Sequence, residues 1–185
     1  MKRKVLIAIS SLGVVVGLML AINWPIVSML VYGPYMGPVN ESWDTSNNVF
    51  RIRVERHAEF NAFVGGAYYV FQSAQAGSDS WQKVFTFRHD DPNPIPRDQV
   101  RFVNDQVGFV FMGWMYAVTT DGGASWSVWN AETDLPKGIC CNYGLIASVN
   151  LQPDGRGTMI LDPIPKRQGE LPQLHTKDFG QHWNL

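Results

Sequence analysis

Cysteine, charge and metal-ligand spacing are all scarce in this chain, and each scarcity removes a class of function. Only 2 cysteines occur in 185 residues, and they are neighbours, Cys140 and Cys141. Cα atoms joined by a trans peptide lie about 3.8 Å apart, short of the roughly 4.4 to 6.8 Å of an ordinary disulfide, so the pair is no structural staple. A buried thiol beside an exposed one, a strained redox pair and an intermolecular bridge stay open as roles for Cys140 and Cys141. Charged residues make up 17% of the chain, below the roughly 25% of ordinary domains, and none occurs between Lys4 and Glu41. Setting aside Lys2, Arg3 and Lys4 leaves 12 basic against 16 acidic side chains, which excludes an electrostatic footprint for nucleic acid. The sequence has no Gly-x-Ser-x-Gly elbow, no phosphate-binding loop and no zinc-type Cys/His spacing, so neither a cofactor nor a metal is expected.

Apolar residues, by contrast, are abundant and concentrated. From Val5 to Val31 nearly every residue is apolar or small. A bilayer core needs about 20 such residues as helix, whereas the apolar part of a secretory signal runs to about 7 to 15. The run therefore predicts an uncleaved transmembrane anchor over 5–32, following a basic tail over 1–4. Trp24 falls at the depth where an amphipathic ring meets the headgroups. Three positive charges precede the span and none follows closely, so the N-terminus is expected in the cytoplasm and the rest outside it, in the periplasm or extracellular space. Gly13 and Gly17 form a GxxxG, a candidate seam for a homodimer of anchors. Residues 33–48 read as linker and 49–185 as one extracytoplasmic domain.

That domain repeats itself. Ala62 to Ser73 aligns without a gap with Gly108 to Thr119, and both segments read as two strands separated by small residues. A third copy begins at Gly157-Thr158-Met159-Ile160-Leu161 and resumes at Leu174 after an insertion rich in proline. The turns that follow carry the sharpest pattern. Thr119, Asp121, Gly123 and Trp126 share their spacing with Thr176, Asp178, Gly180 and Trp183, and Ser73 to Trp81 is a degenerate relative. The chemistry is structural. An Asp at a hairpin tip accepts hydrogen bonds from backbone N–H groups just ahead of it, a Gly two residues later takes positive φ, and the Trp locks the turn onto the sheet.

These motifs resemble the Asp-box, or BNR, repeat of sialidases and of non-enzymatic propellers such as photosystem II assembly factors. The resemblance covers roughly residues 60 to 185 and includes Arg101 to Phe109, which is similar to the strand and turn before such a box. It implies an all-β fold of three propeller-blade-like antiparallel repeats, each blade four-stranded, forming an open or partial propeller after the membrane helix. Three blades fall short of the usual four to eight. The strand near Arg51 to Glu55 is therefore expected to complete the last sheet, or two chains to close a six-bladed ring.

The resemblance also suggests sialidase-like glycoside hydrolysis, which needs an arginine triad, a nucleophilic tyrosine with a glutamate, and an aspartate. No motif selects three of the arginines, and Glu55 and Glu59 read as solvent-facing strand residues. His89 to Pro96, its backbone fixed by prolines and its charges solvated, is a candidate binding loop. Function is thus expected to be non-enzymatic binding of a partner protein, as an assembly factor or an immunity-type protein, with glycan binding or glycoside hydrolysis as the alternative.

Overall fold

The computed structural model describes residues 33–60, 65–90, 93–95, 97–135, 143–163 and 173–185, with short pieces between 17 and 28. Of the described residues, 55% are strand and 6% helix.

Alternation of side chains decides the strands. In β2 (Phe50–Phe60), Phe50, Ile52 and Val54 are fully buried while Arg51, Arg53 and Glu55 point to the opposite face. β1 (Tyr35–Ser46), β2, β3 (Ala67–Gln75) and β4 (Gln82–His89) pair in sequence as a first antiparallel sheet. The middle sheet repeats that order with β5 (Val100–Phe102), β6 (Gly108–Met112), β7 (Met115–Thr119) and β8 (Ser127–Asn130). The last sheet holds β9 (Tyr143–Leu151), β10 (Gly157–Pro163) and β11 (Gln173–Thr176), and an isolated bridge from His175 to Asn184 adds the stub of a fourth strand.

The sheets pack face to face in file, with the middle one between its neighbours. All five residues of β6 are buried, because Val110 and Met112 face the first sheet while Phe109 and Phe111 face the last. A strand covered on both faces reads as an unbroken apolar run, as Gly-Phe-Val-Phe-Met does. Two cores result. Phe50, Ile52, Tyr69, Phe71 and Phe87 fill the first; Tyr116, Met159, Leu161, Leu174 and Trp183 fill the second. Each large side chain so buried contributes roughly 1.5–3 kcal/mol.

Up-and-down pairing sends alternate turns to opposite ends of the stack. The turns at 47–49, 76–81, 103–107, 120–126, 152–156 and 177–183 gather at one end, here termed the turn end. Backbone and amide hydrogen bonds tie them sheet to sheet: Asn47 Nδ2 donates to the Asn104 carbonyl at 3.1 Å, and Gln181 Nε2 to Thr120 Oγ1 at 3.4 Å. The start of β1 and the end of β2 lie at the other end, where Tyr35 pairs with Phe60.

Three expectations change. The segment read as linker carries β1, a 12-residue strand whose mixed composition hides it from a search for apolar alternation. The strand near Arg51 to Glu55 does not complete the last sheet: it is β2, held inside the first sheet between β1 and β3, and the three sheets do not close. β3 pairs with β2 and β4, while Ala62 to Val64, read as its hairpin partner, lie outside the described residues. Most of the predicted anchor, Gly13 included, also lies outside them. Helical geometry appears at the described positions between 17 and 28, as in the 2.9 Å bond from the Val27 N–H to the Asn23 carbonyl. Among the described residues no helix is long and apolar enough to cross a membrane.

Candidate functional site at the turn end

The two closely matched turns are built as one device. Thr119 ends β7 and is buried, so its hydroxyl is fixed beneath the turn. Oγ1 donates to Asp121 Oδ1 at 2.8 Å and accepts the Gly123 N–H at 2.9 Å. Asp121 Oδ1 also accepts the Ser125 N–H at 2.9 Å, and Oδ2 accepts the Ser125 hydroxyl at 2.6 Å. In the last sheet, Thr176 Oγ1 donates to Asp178 Oδ1 at 2.7 Å and accepts the Gly180 N–H at 3.0 Å. Asp178 then accepts the His182 N–H at 3.1 Å and meets His182 Nδ1 at 2.6 Å. The Asp thus accepts from the N–H four residues on, and the Thr is the hub.

Backbone conformation matches as well. Gly122 and Gly123 have φ of 68° and 82°; Phe179 and Gly180 have 61° and 81°. Glycine at the second of these positions meets two demands, because a Cβ on Gly180 would lie 2.3 Å from the Tyr116 hydroxyl and one on Gly123 would lie 2.9 Å from the Phe50 ring. Trp183 is buried edge-on against Tyr116, with centroids 5.5 Å apart, and Trp126 meets Phe50 at 6.2 Å. Their indole N–H groups are buried without an acceptor among the described residues, so ring packing alone does the locking.

Burial pushes both Asp carboxyls upward, yet hydrogen bonds outweigh it: from Ser125 and Thr119 at Asp121, and from His182 and Thr176 at Asp178. Both sit below the ordinary carboxylate value and are ionised at neutral pH. Tyr116 is driven the other way, well up, by burial and then by Asp178.

The degenerate first turn is used differently. Ser73 is fully buried and donates across to the Gly123 carbonyl at 3.4 Å, rather than closing its own turn. Gln75 Nε2 donates to the Gly122 carbonyl at 2.9 Å and Gln82 Nε2 to Gly123 at 2.8 Å. Trp81 stays on the outer face under the Arg51 and Arg53 guanidiniums, 4.8 and 4.0 Å from its ring centre. Between this turn and the second lies a polar cleft of about 370 Å³, lined by Ser73, Gln75, Ser78, Ser80, Gln82 and Asp121 among others. A second depression, of about 400 Å³, is lined by His175, Lys177, Asp178, His182 and Asn184.

Elsewhere the reading from sequence needs correction. Glu59 is not solvent-facing: its side chain is fully covered, receives a two-pronged contact from Arg88 at 2.5 and 2.9 Å, and accepts the Gly66 N–H at 3.1 Å. The Arg88 hydrogen bonds hold its carboxyl below the ordinary value against burial. Its signal lies in register, since His57, Tyr68 and Arg88 stand side by side across three strands and Glu59 is two residues on from His57. The candidate loop from His89 to Pro96 is described only in part, and His89 itself ends β4. Ile95 is buried in the first core, and the Asn93 carbonyl accepts from the Tyr69 hydroxyl at 2.5 Å and Arg56 at 3.1 Å. Cys140 and Cys141 lie outside the described residues, as does most of the proline-rich insertion. Among the described residues no group of three His, Cys, Asp or Glu side chains is placed to hold a metal.

Comparison with protein-family models, with curated proteins and with solved structures finds no match to this chain.

Proposed function

We propose that the chain is a single-pass membrane protein, anchored through residues 5–32, whose extracytoplasmic domain is an open stack of three Asp-box blades that binds a partner protein without chemistry. The observation that carries this reading is the full use of the box carboxylates. Both oxygens of Asp121 and of Asp178 are engaged within their own turns. A general acid or base needs a free oxygen within reach of substrate. What the turns offer instead is a set of rigid tips bearing exposed Ser125, Lys177, Gln181 and His182, the arrangement in which a scaffold presents loops for recognition.

The test is light crosslinking in the native membrane followed by affinity capture, comparing the natural chain with a Lys177→Glu, Gln181→Arg variant. One stoichiometric partner lost from the variant, at unchanged unfolding midpoint, is the expected outcome. Recovery of the chain alone in both cases refutes the reading.

Glycan binding is the second reading, favoured by the hydroxyl and amide lining of the cleft beside Asp121, whose size lies within the roughly 300–1,000 Å³ of ligand sites. Its hydrolase form draws less support. Arg51, Arg53, Arg56 and Arg88 are each engaged by an acidic neighbour, Asp79, Asp44, Glu41 and Glu59 respectively, rather than left to grip a substrate carboxylate. Retention on a glycan array, abolished by Gln82→Leu, would move the assignment to this second reading.

A further inference from the structure

We propose that the free tip of the β1–β2 ribbon rests on the lipid surface, so that the turn end points away from the membrane. This rests on the anchor proposed above and adds an orientation to it.

Large apolar side chains exposed outside the N-terminal run are few among the described residues, and most stand together. Tyr35, Met36, Val39 and Phe60 are 54%, 46%, 47% and 44% exposed, Tyr35 and Phe60 on the inner face of the ribbon and Met36 and Val39 opposite Glu59 and His57 on the outer, while Val128 and Leu185 stand apart. Tyr35 and Phe60 are register partners with ring centroids 5.9 Å apart, and the Phe60 ring lies over Gly37, where a Cβ would come within 2.2 Å of it. The tip extends past the short strands of the middle sheet, since β2 has 11 residues and β6 has 5. Among the described residues no sheet covers its inner face at this end.

Chain length decides what does. Val31 closes the apolar run and Tyr35 opens β1 only four residues later, a reach of at most about 14 Å fully extended. Gly33, with φ of 66°, bends that connection and shortens it. The interfacial layer is roughly 5–8 Å deep on each side of the hydrocarbon. The tip is thus held at or just above the headgroups, where Tyr and Phe rings are favoured. Charge opposes the contact little, since Asp90, 79% exposed at this end, is paired with Arg88. The run and the start of β1 carry no Asp, Glu, Lys, Arg or His before Glu41. Glu59, the register partner of Met36, has its carboxylate enclosed and matched by Arg88.

The experiment places p-benzoylphenylalanine at Phe60, at Tyr35 and, as control, at Val128, in the full chain reconstituted into phosphatidylcholine–phosphatidylglycerol vesicles. After illumination, lipid adducts are counted by mass spectrometry on vesicles washed with alkaline carbonate. Lipid adducts several-fold more abundant at Phe60 and Tyr35 than at Val128 are expected. Equal yields at all three positions, on protein retained through the wash, overturn the docking and leave the anchor standing. Adducts at Phe60 that join a second protein chain overturn it as well. Release of the chain by carbonate removes the anchor and the docking together.

Discussion

Phe179 is the non-glycine residue with positive φ among those described, and the internal repeat supplies its control, since Gly122 holds the same place in the other box. Holding an L-residue in the left-handed region costs roughly 1–2 kcal/mol. Phe179 tolerates that cost because its ring packs on the second core and over Gly155, and its N–H reaches the Gly155 carbonyl at 2.8 Å. Phe179→Ala removes the packing and keeps the strain; at half burial the loss is about 1 kcal/mol, half the range for a fully buried ring. Phe179→Gly removes both, and glycine's greater freedom when unfolded takes back about 0.5–1 kcal/mol. The glycine variant should therefore be more stable than the alanine variant by roughly 0.5–1 kcal/mol. That reverses the usual order of the two residues, and at this size amounts to about 2 °C in melting temperature. Tryptophan fluorescence during thermal and urea unfolding of the full chain in mild detergent measures it, the 7 tryptophans supplying the signal. An alanine variant as stable as the glycine variant would refute the assignment of strain to this turn.

Two further outcomes follow from the charged groups. Glu59→Ala strands Arg88, and because Arg88 is 41% exposed the cost should be about 2 kcal/mol, below the 3–5 of a deeply buried pair; the Glu59→Gln, Arg88→Met double variant should recover part of it in urea titrations. The carboxyls of Glu59, Asp121 and Asp178 all lie below their ordinary values in the folded chain. Their contribution is thus fully present above the unfolded carboxylate range near pH 4 and is lost as pH falls through their folded values. Thermal unfolding followed from pH 6 to pH 3 should show a falling midpoint, with a shallower fall in the Asp121→Asn, Asp178→Asn variant; an identical slope would contradict the assignment.

The turns were the most legible part of the sequence because their constraints are local. Thr, Asp and Gly within a few residues specify a hydrogen-bonded loop whatever sheet lies beneath it, and Thr119 to Trp126 and Thr176 to Trp183 take the same form in the structure. What depended on pairing at a distance was harder to read. β1 mixes Tyr35, Met36, Val39 and Trp43 with Asn, Glu, Ser, Asp, Thr, Gly and Pro in no regular alternation, so it becomes a strand through its register with β2. Glu59 looked solvated because its partner Arg88 is 29 residues away and two strands over. Indole burial without an acceptor at Trp126 and Trp183 had no signal at all, since the sequence shows a donor and never the distance to an oxygen.

The same alternation that builds the stack bears on where it stops. The middle sheet is apolar on both faces and the outer two on one. On the outward face of the first sheet, β2 presents Arg51, Arg53, Glu55 and His57, joined by Gln72 and Arg88 from its neighbours. Closing a six-bladed ring through a second chain would press that face against another sheet and withdraw several ions from water, at several kcal/mol each unless every one were re-paired. Ser148, Asn150 and His175, exposed beside buried Val149 and Met159, make the outward face of the last sheet mostly polar, with Thr158 and Ile160 half-buried among them. A sheet meant to meet a further blade would instead repeat the pattern of β6, apolar at every position. Side-chain alternation on the described outer faces therefore disfavours a further blade against either of them.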